Sequence, residues 1–266
     1  MGKHTDGDGD GVADYADFVR PADGDHDLGV QHVRGTYFHQ IEVVPGFGRH
    51  VLHDERSREY DAANGLVADV TKIVTTMHHR VIDPWDQGQI GDCTANAALG
   101  LMMTEPFADL VKRTFTEDDC VRFYEQETQL DDRQIPGHYP PDDTGSTGVW
   151  SMKVLKAWGL ASGYQHAFDT WTLQRILQKF PVSVGVPWYA SMDSPDENGL
   201  LHVEPASGLR GGHQFDLVGI DVENQWYTAV NSWGTGWALK GEMRIPFNDF
   251  HTLLQHHGDV SVPVVS

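Results

Sequence analysis

Three short blocks, far apart in the chain, constrain its fold more than any stretch of hydrophobic pattern. They are Gln87-Gly88-Gln89-Ile90-Gly91-Asp92-Cys93, Gly211-Gly212-His213 and Asn231-Ser232-Trp233-Gly234. Cys93 opens an Ala- and Leu-rich run that predicts a helix, His213 precedes a predicted strand, and Asn231 follows that strand region. The residue types are those of a thiol nucleophile site. Unpaired N–H groups at a helix N-terminus place partial positive charge there and favour a thiolate. An imidazole takes the thiol proton, and an asparagine amide oxygen on its other ring nitrogen fixes the tautomer. Gln87, six residues before Cys93, can offer a side-chain N–H to the oxyanion that forms when sulfur attacks an acyl carbon.

The rest of the chain reads as a helical half followed by a strand-rich half. Ala95, Ala98, Leu99 and Met102 recur at helical spacing within 94–104. Trp150, Val154, Leu155 and Trp158 predict another helix closed by Gly159. A third starts at Thr170 and ends before Pro181. Strands are predicted over 182–188, 214–222, 226–231 and 242–245, with tight connections at Glu223-Asn224 and Gly234-Thr235-Gly236 that suit antiparallel pairing. No internal repeat is evident.

The three blocks, present in the same order, resemble the papain family of cysteine peptidases, in the form found in bacterial and bacteriophage-encoded members. The family pattern is Gln-Gly-x-x-Gly-x-Cys, then Gly-His before a strand, then Asn-Ser-Trp-Gly. The resemblance runs from about Gly48 to Ser266. It implies an α+β fold of two lobes, one helical and carrying the cysteine, the other an antiparallel β-barrel-like lobe carrying the histidine and asparagine, with an extended peptide held between them. It implies Gln87, Cys93, His213 and Asn231 as catalytic residues. Trp233 is expected to shield the His–Asn hydrogen bond. In the small-residue segment Asp142-Asp143-Thr144-Gly145-Ser146-Thr147-Gly148, Gly145 and Ser146 are the expected substrate contacts, together with Gly212 and Trp233. Small side chains let a substrate backbone approach for strand-like hydrogen bonding. The bland reading of that segment is a loop with a helix cap.

Three positions depart from the pattern. Ile90 stands where many relatives carry a disulfide-forming cysteine, and Thr94 replaces the tryptophan that commonly follows the nucleophile. Asp92 directly precedes Cys93, where its charge opposes thiolate formation. It is read as an N-cap, since Asp accepts from the first free helix N–H groups. Cys120, in an amphipathic stretch from Glu117 to Tyr124, is read as a buried structural thiol. With only these two cysteines a disulfide framework is excluded. His78-His79 and His256-His257 lack metal spacing and are read as surface residues.

Composition narrows the classes further. A length of 266 residues with 39% hydrophobic and 10% aromatic content suits a folded globule. The formal charge of -20 argues against nucleic-acid binding, which needs clustered Lys and Arg. No run approaches the roughly 18 apolar residues of a membrane span, and Met1 to Asp8 shows no apolar signal core. The expectation is synthesis in the cytoplasm, with virion association or another route of release. The oligomeric state is open.

A second pattern sits near the N-terminus. Residues 6–17 fit a twelve-residue calcium loop: Asp6, Asp8 and Asp10 at positions 1, 3 and 5, Gly11 at the turn, Val12 through its carbonyl, then Asp14 and Asp17. Asp17 departs from the usual closing Glu. The segment looks more like a thrombospondin type 3 or dockerin repeat than a full EF-hand, and its bland reading is a solvated acidic tail. The organisation expected is therefore an acidic segment over 1–30, a linker over 31–47 and a peptidase domain over 48–266. The N-terminal arm is read as a calcium-ordered attachment or stabilising segment and not as a zymogen lock. The function expected is a cysteine-type peptidase acting on polypeptides through an acyl-enzyme, with no cofactor needed for catalysis. The alternatives are a non-catalytic papain-fold binding or virion-associated structural module, and a cell-wall peptide amide hydrolase.

Overall fold

The computed structural model describes residues 30–33, 36–39 and 46–265, apart from 53, 63–66, 68–69, 71 and 132–136. The chain divides into two compact units, Met1–Ile41 and Glu42–Ser266. In the first, β1 (Val30–Val33) and β2 (Thr36–His39) form an antiparallel hairpin within the stretch read as a linker. The calcium-loop residues lie outside the described residues.

The second unit joins helices to a seven-stranded antiparallel sheet. The helices are α1 (Cys93–Met102), α2 (Phe107–Val111), α3 (Glu117–Leu130), α4 (Gly148–Ala157), α5 (Thr170–Ile176) and α6 (Phe247–Gln255). The strands are β3 (Thr76–Met77), β4 (Gly163–Ala167), β5 (Val182–Tyr189), β6 (Leu209–Asp221), β7 (Trp226–Val230), β8 (Glu242–Pro246) and β9 (Asp259–Val264). The main path runs β4-β9-β5-β6-β7-β8, with β3 paired to β6.

Helix α1 is apolar on nearly every face, and all its residues are buried. That is the pattern of a central helix, not a surface one. It packs on β6 and is flanked by α3 and α4. Helix α3 carries a capping box at Thr116 and Asp119, which satisfies first-turn N–H groups and fixes where the helix begins. Cys120 is buried in its apolar face, as expected. Helix α4 ends near Gly159, which adopts φ +71°, the left-handed conformation that stops a helix at low cost for glycine. Strand β5 is buried at every position, so it reads as a continuous apolar run instead of an alternation.

Several expectations change in detail. His213 lies inside β6 and not before it, because the strand begins at Leu209. β4, β9 and α6 were not anticipated; β4 pairs with β9, which closes the sheet beside β5. Of the paired histidines, only His79 is exposed. His78 Nε2 contacts Leu177 O at 2.9 Å and His256 Nδ1 contacts Tyr189 Oη at 2.9 Å. Asp92 occupies the N-cap position of α1, yet its side chain makes no capping hydrogen bond, and Oδ1 is buried without a partner. Among the described residues, no helix is long and apolar enough to cross a membrane.

Candidate active site

Cys93 begins α1 and is wholly buried. His213, also wholly buried, approaches from β6. Its Nε2 faces Asn231 Oδ1 at 2.7 Å. The same oxygen accepts from Ser232 N at 2.8 Å, which fixes the amide orientation so that oxygen, not nitrogen, meets the ring. The tautomer follows: Nε2 carries the proton, leaving Nδ1 as the basic nitrogen. Gln214, next along β6, points its backbone N–H at Cys93.

Aromatic rings enclose the imidazole. Trp233 lies 4.9 Å from it, Trp188 5.0 Å, Phe47 5.6 Å and Phe215 6.1 Å between centroids. Trp233, expected to shield the His–Asn hydrogen bond, packs against this ring and donates its own Nε1–H to Gly46 O at 3.3 Å. Trp188 and Phe47 were not foreseen; a lone aromatic in an apolar strand or a loop gives no sequence signal of which ring it will meet. Burial pushes the His213 imidazole down to about 4, opposed by the hydrogen bond to Asn231.

Gln87 reaches the site through two joints. Its backbone N–H donates to Ser232 O at 2.9 Å, and its Oε1 accepts from Ser232 Oγ at 2.6 Å. One of its side-chain N–H groups donates to Ile90 O at 2.8 Å, so one donor of the amide is spent locally.

The environment of the sulfur is acidic. Burial raises the Asp92 carboxyl to about 7, and Asp143 adds to this. Glu127, wholly buried, rises to about 8 by the same desolvation while accepting from Thr94 Oγ1 at 2.6 Å. The residue that departs from the family pattern at position 94 therefore serves to seat a buried carboxyl. Asp143 accepts from Gly91 N at 2.8 Å and from Tyr124 Oη. Burial, with the Asp92 charge adding to it, pushes the Cys93 thiol up to about 12, against the pull of the N–H groups of Gly48, Gln214 and Arg49. Both shifts favour the neutral thiol and the neutral imidazole.

The reason for that burial is a segment outside all three sequence blocks. Residues 46–51, a turn at Gly46, isolated bridges at Arg49 and a bend at Val51, pass over the sulfur. Gly48 N–H donates to Cys93 Sγ at 3.4 Å. Arg49 N donates to Gly212 O at 3.2 Å, His50 N to Ser146 O at 2.9 Å, and Ser146 N to Gly48 O at 2.8 Å. Arg49 bridges Ser146 in the parallel sense and Gly212 in the antiparallel sense. The residues expected to hold a substrate backbone, Gly145, Ser146 and Gly212, are brought together around a segment of the chain itself. The fit depends on glycine: a Cβ at Gly212 would lie 2.1 Å from Arg49 O, and one at Gly145 2.5 Å from Gly48 O. His213 Nδ1 has no hydrogen-bond partner here. Gly46 and Phe47, the last residues of the N-terminal arm, lead into this segment: Gly46 O accepts from Trp233 Nε1 at 3.3 Å and the Phe47 ring lies 5.6 Å from that of His213. Among the described residues, no group of three or more His, Cys, Asp or Glu side chains could hold a metal ion.

This α+β arrangement of helices against an antiparallel sheet has the fold of the papain-like cysteine proteases. Xylellain, a cysteine protease from Xylella fastidiosa, superposes with a TM-score of 0.64 at 17% identity, over 85% of this chain and 99% of its own. Procathepsin L 3 of the Tenebrio molitor larval midgut gives 0.53 at 17% identity, over 84% and 77%. An uncharacterized peptidase C1-like protein of Acanthamoeba polyphaga mimivirus is 20% identical over 229 residues, 68% of this chain and 69% of that protein. No protein-family model matches the chain.

Proposed function

We propose that the chain is a cysteine-type peptidase, held closed in this structure by residues 46–51. The observation that carries the reading is the 2.7 Å contact between His213 Nε2 and Asn231 Oδ1, with His213 on the strand against which the helix begun by Cys93 packs. That contact aims the unprotonated Nδ1 away from Asn231, leaving it available to accept the thiol proton. With the covering segment displaced, His213 takes the Cys93 proton and sulfur attacks the substrate carbonyl. The oxyanion is met by the Cys93 backbone N–H and the remaining Gln87 N–H. His213 then gives its proton to the leaving amine, and water, activated by the same imidazole, releases the acyl group.

The closed state follows from the polarity of the segment. Gly48 presents an N–H to the sulfur, not a carbonyl carbon, so the segment fills the site without offering a bond to cleave. The peptidase domain over 48–266 and the acidic segment over 1–30 remain part of this reading. Calcium at Asp6, Asp8, Asp10, Val12, Asp14 and Asp17 is supported by the sequence pattern alone.

The test is intact-mass labelling with an epoxide inhibitor of papain-type enzymes on wild type, Cys93→Ala and His213→Ala. One adduct is expected, lost in Cys93→Ala and strongly slowed in His213→Ala. A folded protein whose adduct forms at the same rate without His213 refutes the thiol–imidazole pair.

A further inference from the structure

The covering segment does more than close the site, because one of its side chains is seated in the protein body against an acidic partner. The Arg49 side chain is fully buried, and its guanidinium meets Asp259 Oδ1 at 2.9 Å and His257 O at 3.1 Å. A third contact, to Val51 O at 2.6 Å, is to its own segment. Asp259 opens β9 and is 1% exposed. Gly185, its partner across the sheet, lines the passage. A Cβ there would lie 2.2 Å from Arg49 Nε and 2.7 Å from Asp259 Oδ1. Any other residue at 185 would close the route to the carboxylate. Removing the Arg49 side chain would leave a cavity that starts from the residue pairing with both Ser146 and Gly212, one position from the residue on the sulfur.

We propose that this cavity is the specificity pocket of the enzyme and that it takes an arginine side chain of the polypeptide substrate, with Asp259 as the determinant; this rests on the peptidase reading above. The argument is electrostatic. Once the segment leaves, Asp259 and the His257 carbonyl remain as acceptors that a bound substrate side chain would bury again. A buried carboxylate without a cation is strongly disfavoured, and an apolar side chain placed against it leaves it so. One nitrogen, Nη2, meets both acceptors, and guanidinium, being more weakly hydrated than an ammonium, is the cation better suited to a buried pair. A pocket selects a side chain whichever way the backbone runs, so a substrate of productive polarity can place its arginine where Arg49 now sits. The formal charge of -20 on the chain draws basic peptides toward it.

Two measurements on the full chain test this. In Arg49→Ala, N-ethylguanidinium should raise the unfolding midpoint saturably by about 2–4 °C. The neutral isostere N-propylurea should not, and the response should vanish in Arg49→Ala/Asp259→Asn. No shift with the cation, an equal shift with the urea, or a shift that survives Asp259→Asn overturns the pocket. The second measurement needs no Arg49 variant. In Gly48→Ala, which the geometry expects to be open, fluorogenic peptides scan Arg and Leu through the positions before the scissile bond. At one position Arg should exceed Leu about 100-fold in kcat/KM, falling to within about 3-fold in Gly48→Ala/Asp259→Asn. Cleavage that favours Leu at every position overturns the pocket while the peptidase reading stands. Absence of all cleavage beside a retained cation shift removes the peptidase reading and leaves only a cation-binding cavity.

Discussion

Gly48→Ala should convert the closed enzyme into an open one. A methyl group at Gly48 would sit 1.5 Å from the Gly91 carbonyl oxygen, 2.1 Å from its carbon and 2.5 Å from its Cα. All three are backbone atoms at the entry to α1, so none can turn aside as a side chain would. Relief requires the segment to withdraw by about 2 Å, the gap to an ordinary contact distance. Such a move breaks the Gly48–Cys93 contact and the three backbone hydrogen bonds to Ser146 and Gly212. At about 1 kcal/mol net for each, the closed state loses roughly 4 kcal/mol, or about 10³ in population. Opening also rehydrates the sulfur, removing the main cause that pushes its thiol up to about 12. Alkylation of Cys93, followed by intact mass at pH 7, should therefore accelerate by about 10²–10³ over wild type. The adduct should disappear in Gly48→Ala/Cys93→Ala, since Cys120 is buried in α3. A folded Gly48→Ala protein labelled within about 3-fold of the wild-type rate would show that residues 46–51 do not control access to sulfur.

Other consequences follow from the same geometry. Glu127 has a folded pKa raised from 4.5 to about 8, so the folded state holds a proton that the unfolded state has lost. The stability it contributes is complete below about pH 4.5 and is lost as pH rises toward 8, a change on the order of 3–5 kcal/mol. Glu127→Gln should flatten the decline in chemical-denaturation stability across that window, and an unchanged slope would contradict the assignment. In the opened enzyme, Asn231→Ala removes the partner of His213 Nε2 and should lower kcat by about 10²-fold or more with little change in KM; equal kcat would show that the amide does not orient the ring. Trp188→Ala empties a fully buried site against His213 and Trp233 and should cost about 3–5 kcal/mol in urea unfolding. Calorimetry with millimolar calcium should show saturable heat, lost in Asp6→Ala/Asp8→Ala; no heat removes the calcium reading.

What the sequence determined by itself was local chemistry and its order. Gln87, Cys93, His213 and Asn231 stood out as candidates because thiol catalysis needs those types, and because the flanking glycines and Trp233 repeat a known pattern. The helix at Cys93–Met102 and the strand at Val182–Tyr189 were legible from apolar periodicity and run length. What only the tertiary structure decided was which distant backbone lies against which. Residues 46–51 carry no motif, and their role depends on pairing with Ser146 and Gly212, about 100 and 160 residues away. Asp92 looked like a helix cap by position, yet the fold turned its carboxyl into a buried, uncapping group beside the sulfur. Arg49 and Asp259, 210 residues apart, look like ordinary surface charges in one dimension. Only closure of β9 against β5 removes water from both and makes them answer to each other, because burial, which sets the strength of a charge interaction, is a property of the assembled fold.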